Sequence, residues 1–153
     1  MKRFTFKLES VLGYKKAVEE MTVRELGLIM VQLEKEKERL AGTAQYYEDL
    51  ITDFEADEER SATDITLYTN HLKGIKEDIK EAENAVQMFT KKWEEKREEV
   101  IKATTERKSI EILKKRGLDL HNIEMSRLEQ STLDEIAGNM NNRGKAQGAG
   151  GKE

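Results

Sequence analysis

The sequence predicts an all-α fold: a long antiparallel two-helix coiled-coil hairpin with an overhanging C-terminal helix and a disordered tail. Three observations carry that expectation. Ile65, Leu72, Ile79, Val86, Trp93 and Val100 recur every seven residues, with Tyr68, Ile75, Ala82 and Phe89 on the companion row. That is an a/d heptad sustained over about six repeats, and a strict seven-residue repeat makes a helix wrap around a partner to keep its stripe covered. The 153 residues include no proline, the residue that a helix interior excludes most strongly. Charged residues make up 38% and apolar residues 37%, of which few are aromatic. That balance belongs to long helices and coiled coils.

The first helix is expected over about 8–59. Leu12, Leu26, Leu33, Leu40, Tyr47 and Phe54 share one heptad row, with Glu19 as the exception. Leu8, Ile29 and Leu50 lie on the second row, which Lys15, Thr22, Glu36 and Thr43 weaken. The turn is expected at about 60–63, because Ser61, Thr63 and Asp64 are all good N-cap residues. The second helix is expected over about 64–137, some 110 Å long at about 1.5 Å per residue, against about 80 Å for the first. Folded back at the turn, Leu40 lies near Val86, Leu33 near Trp93 and Leu26 near Val100. Trp93 and Phe89 are then core residues, and Lys96 interrupts the seam. The matching seams favour a hairpin within one chain, and so a monomer.

Residues beyond about 118 have no opposite number in the first helix. The second helix therefore overhangs, with Ile123, Leu128, Leu133 and Ile136 uncovered. Phe4 and Phe6 are expected to fold over Leu118 and Leu120, and Gly117 stands where the seam loses phase. Residues 138–153 are rich in glycine and poor in apolar residues, the composition of a disordered tail.

Composition excludes much. The net charge is −4, with both signs interspersed, so no one-sided basic face recommends nucleic acid. The absence of cysteine removes disulfides and thiolate metal sites and suits a reducing compartment. The longest purely apolar run is Leu28 to Val31, too short to enter a bilayer as a span. His71 and His121 are too far apart in sequence to share a helical metal motif. No glycine-rich phosphate loop is present, and a two-helix groove cannot converge catalytic groups around a dry pocket. The expectation is a non-enzyme with no catalytic residue, no metal and no cofactor, placed in the cytoplasm.

Several segments resemble one family in order along residues 4–137. The opening Phe4-Thr5-Phe6-Lys7-Leu8-Glu9-Ser10-Val11-Leu12 is similar to the start of the flagellar export protein FliJ family. So are Trp93 with Lys96-Arg97, the run Glu111-Ile112-Leu113-Lys114-Lys115-Arg116, and Leu133-Asp134-Glu135-Ile136-Ala137. The resemblance implies a central stalk, like that of rotary ATPases, whose termini enter the hexameric ring of the flagellar export ATPase. It implies promotion of ring assembly, a link to the membrane export gate protein, association with export chaperones, and a place at the inner face of the cell membrane at the flagellar base. By resemblance, Leu8, Leu12, Arg127, Leu133, Asp134 and Glu135 contact the ring. Leu40, Tyr47, Tyr68, His71, Leu72 and Ile75 contact the gate, and His71 departs from the aromatic common there. Two rivals come from other classes: a self-associating structural coiled coil, and a general chaperone for export substrates. Mass in solution separates the first and binding to unfolded substrate the second.

Overall fold

The computed structural model describes residues 3–56 and 59–148. It contains two helices, α1 over Glu9–Ala56 and α2 over Ala62–Gly148. No strand occurs among the described residues. The chain divides into two compact units, Lys15–Thr105 and Met1–Tyr14 with Glu106–Glu153.

In the unit Lys15–Thr105, α1 and α2 pack antiparallel as a coiled-coil hairpin. Along α2, Tyr68, Ile75, Ala82, Phe89, Lys96 and Ala103 form one covered row, and Leu72, Ile79, Val86, Trp93 and Val100 the other. Along α1 both expected rows are covered, including the polar members. Those polar side chains are tolerated because each finds a partner without leaving the seam. Thr22, buried, donates to the Val18 carbonyl at 2.6 Å, and Thr43 donates to that of Arg39 at 2.9 Å. The Thr104 hydroxyl donates to Glu19 at 2.8 Å. Lys96 donates to Glu99 at 2.6 Å on its own helix and to Glu25 at 3.0 Å on the other. These bonds raise the Lys96 ammonium above its ordinary value, Glu99 contributing most and Glu25 next. The buried apolar residues of this unit are Ala82, Ile75, Leu33 and Ala103.

The turn lies closer to the N-terminus than expected. α1 spans Glu9–Ala56 and Glu59 is not helical; residues 57 and 58, where the expected end of the first helix also falls, lie outside the described residues. Ser61 then caps α2. Its hydroxyl donates to the Asp64 carboxylate at 2.6 Å, its amide donates to the same carboxylate at 3.0 Å, and the Asp64 amide donates back at 3.2 Å. This is a reciprocal capping box, and of the three candidate caps it selects Ser61. Moving the turn by two or three residues moves every opposed pair by twice as much. So Glu25 reaches Lys96 rather than the neighbourhood of residue 101, about one turn from the expected register. Ile65, expected in the seam, is 50% exposed: the last seam pair is Phe54 on Tyr68, and α1 has ended before it could cover Ile65. Trp93 is half-buried, not a fully buried core residue, with the Arg97 guanidinium 5.5 Å from its ring.

In the unit Met1–Tyr14 with Glu106–Glu153, Leu12 is buried and Lys114 of α2 pairs with Glu9 at 2.7 Å. The Phe4 ring lies over Gly117 and, at 5.7 Å between centroids, against His121. Leu118 and Leu120, the expected partners, stay exposed. The physical reason is register. Gly117 and His121 continue the two seam rows at seven-residue spacing through Ile110 and Lys114, so Phe4 extends the seam instead of bridging a phase change. α2 passes through Gly117 without a break, and no described glycine has positive φ. Nor does α2 stop at Ala137. It continues to Gly148, well into the segment expected to be a disordered tail, because nothing in residues 138–148 is a proline and glycine only weakens a helix. Residues 149–153 of that segment lie outside the described residues.

Candidate interaction surfaces

The residues expected to carry function fall on two surfaces, one in each unit. In the N- and C-terminal unit, Met125 is half-buried, and residues 126–140 are exposed throughout. At about 100° per residue, Leu118, Met125, Leu128, Ile136 and Met140 share one side, continuous with the row that Phe4 covers, and Leu133 flanks it. Met125, Leu128, Glu129, Thr132 and Leu133 line a shallow concavity there. Leu133 is 61% exposed and Leu128 62%. Gln130 donates to Asp134 at 3.0 Å, and Arg127 and Glu135 face solvent. Of the six expected ring-contact residues, Arg127, Leu133, Asp134 and Glu135 are all exposed on this stretch of α2, but they point to different sides of it, and only Leu133 borders the apolar side. Leu8 is partly exposed at the start of the chain, and Leu12 is buried against α2 and offers little surface.

At the turn end of the other unit, the six expected gate-contact residues divide differently. Leu40, Tyr47, Tyr68, Leu72 and Ile75 are seam residues; Ile75 is buried and the others half-buried. His71 alone of the six is exposed, and its Nε2 lies 3.0 Å from the Tyr46 hydroxyl, the rings meeting edge to face at 79°. Phe54 and Tyr68 are stacked, Arg60 lies over Phe54, and Leu67 is exposed beside them. Leu50, Asp53, Phe54, Glu59, Arg60, Asp64, Leu67 and Tyr68 enclose an open hollow. The accessible surface at this end is thus Tyr46, His71 and Leu67 rather than the seam.

Sequence reasoning missed Met125, Met140 and Arg60. For the two methionines a signal existed: both lie on the helical stripe of Leu128 and Ile136. For Arg60 none existed, since its place over Phe54 follows from the path of the turn.

The described residues offer no group of three or more histidine or acidic side chains placed to hold a metal ion, and no described helix is long and apolar enough to cross a membrane. A family model described as "Flagellar FliJ protein" matches residues 4–146. No curated protein and no solved structure matches the chain.

Proposed function

We propose that this chain, which belongs to the flagellar FliJ family, is the stalk of the flagellar export ATPase, promoting assembly of its hexameric ring and coupling the ring to the membrane export gate. Family membership makes the chain a flagellar protein-export component. The finer reading rests on one observation: the apolar face of α2 from Leu128 to Met140, past the end of the seam, with no other part of the described chain covering it. A single helix with a bare apolar side is suited to a narrow, apolar-lined pore. Its action there needs no chemistry of its own, only preferential binding to the assembled ring, which shifts the population toward the hexamer. The gate contact is assigned to Tyr46, His71 and Leu67, which are accessible, with Tyr68 and Leu72 shaping the backbone beneath them. Export chaperones complete the proposed partners, and the proposed location is the cytoplasmic side of the membrane at the flagellar base.

The test is ATP turnover by the cognate export ATPase with and without the chain, with light scattering to follow ring assembly. Stimulation with hexamer formation is expected. Leu133→Asp should weaken it while leaving helicity and thermal melting unchanged, because Leu133 is 61% exposed on a stretch of α2 that α1 does not cover. No stimulation at saturating chain would overturn the stalk reading.

A further inference from the structure

Along the sequence the two signs of charge are interspersed, but past residue 106 the fold sorts them around α2. Ile110, Lys114, Gly117 and His121 are half-buried and mark the covered side. Glu106 and Glu111 are half-buried on the flanks, where Glu111 is taken by Arg107 at 2.6 Å; Lys114 reaches Glu9 at 2.7 Å. The opposite side is centred on Ile112. At about 100° per residue, Lys108, Lys115, Arg116, Asp119, Ile123 and Arg127 lie within roughly 60° of it, and all are exposed. None of the four cations makes an ion pair among the described residues. One side of α2 thus presents four free positive charges against the single carboxylate of Asp119, in a chain whose net charge is −4.

Apolar groups stand in line with these charges. Ile112 and Ile123 are 51% and 49% exposed, and the eleven residues between them make about three turns, so both point the same way. No aromatic residue stands on this side, so it offers no platform for stacking nucleic-acid bases. Phosphate contacts alone would leave both isoleucines against a charged backbone. A bilayer interface takes both kinds of group at once: the cations stay among anionic headgroups, their stems lie along the upper acyl chains, and isoleucine goes deeper. The face is also the convex outside of one helix. A protein partner would have to match it with a shaped groove, whereas a flat and yielding surface meets it along its length.

We propose that the side of α2 from Lys108 to Arg127, opposite the side that Phe4 covers, is a contact surface for anionic phospholipid, by which the chain itself lies on a membrane without crossing it. No described helix is long and apolar enough to cross. The attraction is the one that Lys and Arg clusters on a helix exert on acidic headgroups, and each cation adds its own increment. The stalk reading reaches the membrane through the gate protein; this contact is direct. Only Arg127 of this face is among the expected ring contacts, and Lys115 and Arg116 carry the test without it.

Co-sedimentation of the full chain with vesicles tests it. The chain should sediment with vesicles of phosphatidylcholine and phosphatidylglycerol at low salt, stay in solution with phosphatidylcholine alone, and be released as salt rises. Lys115→Ala and Arg116→Ala should each weaken binding about five-fold, and the double variant about twenty-five-fold. Ile112→Ser combined with Ile123→Ser, which leaves the charge unchanged, should weaken it as well. All four residues are exposed, so circular dichroism spectra should not change. No binding to the anionic vesicles at low salt overturns the proposal. So does binding that Lys115→Ala and Arg116→Ala leave intact, which would place the contact elsewhere on the chain. Equal affinity for duplex DNA or polyglutamate, or a double isoleucine variant that binds as well as the native chain, also overturns it, because the site would then be one for polyanions in general.

Discussion

Phe54 and Tyr68 stack face to face, with ring centroids 3.4 Å apart and planes within 2° of parallel. The Arg60 guanidinium carbon lies 3.5 Å from the same Phe54 ring, and two groups that close must occupy opposite faces. Phe54 is thus the middle layer of a sandwich that joins the end of α1, the turn and the start of α2. Phe54→Leu should cost roughly 1–2 kcal/mol, the combined worth of one aromatic pair and one cation–π contact. Arg60 Nε and Nη2 are buried without a hydrogen-bond partner, so Arg60→Met, which keeps the stem and removes those donors, should be close to neutral. Urea unfolding of the two variants checks both; a larger loss for Arg60→Met than for Phe54→Leu would reverse the assignment.

Ala82 is fully buried, whereas Trp93 is only half-buried. The small residue therefore marks the tighter spot. Ala82→Leu should destabilise by about 1–3 kcal/mol through overpacking. Trp93→Ala should cost about 2 kcal/mol, below the 3–5 kcal/mol typical of a fully buried tryptophan. Denaturation midpoints of both variants, at an unchanged m-value, give the comparison.

Nothing lies within 4 Å of the Cβ positions of Gly42 and Gly74, in helices where no glycine has positive φ. Gly42→Ala and Gly74→Ala should each raise stability by roughly 0.5–1 kcal/mol. Gly117 differs, since a Cβ there would meet the Phe4 ring at 3.4 Å. Alanine fits that spacing, so Gly117→Ala should also be tolerated. Gly117→Leu should expel Phe4, seen as loss of the Phe4–His121 ring contact in NMR spectra.

The Asp64 carboxyl is held below its ordinary value, chiefly by the Ser61 hydroxyl and then by the Ser61 amide. A depressed acid stabilises the fold above its unfolded value, and that contribution is lost as pH falls through the folded value. Amide protection at the start of α2 should accordingly be constant from neutral pH down to the ordinary carboxylate range, and fade only in stronger acid. Ser61→Ala should remove the acid step and cost about 1 kcal/mol as a lost N-cap. Hydrogen exchange at residues 62–65 against pH reads both.

Lys96 behaves in the opposite sense. Its ammonium is raised by Glu99 and Glu25, so its contribution is complete below the ordinary lysine value and lost as pH climbs through the folded value. The melting-temperature difference between the native chain and Lys96→Met should be flat across neutral pH and shrink only in strong alkali. Lys96→Glu, which faces Glu25 and Glu99 with a like charge, should lower the melting temperature, and adding Glu25→Lys should restore part of it.

The two helices, their antiparallel pairing and most seam positions were legible in the sequence, because heptad spacing reports directly which side of a helix must be covered. The bare α2 face was legible for the same reason: Leu133 and Ile136 lie beyond any partner that the first helix can supply. Other features depend on where the chain turns. Ile65 fits the heptad row and is still exposed, since α1 ends at Ala56. Leu72 and Ile75 look like contact residues by family resemblance and are spent on the seam, leaving His71 and Tyr46 at the surface. Phe4 meets Gly117 and His121 rather than Leu118 and Leu120, a choice that only the continued register makes. By itself, then, the sequence determined which stripes of each helix are apolar, through local periodicity. Tertiary structure decided which stripes find a partner, because the capping box at Ser61–Asp64 places the turn, and the position of the turn sets every pairing along the seam it closes.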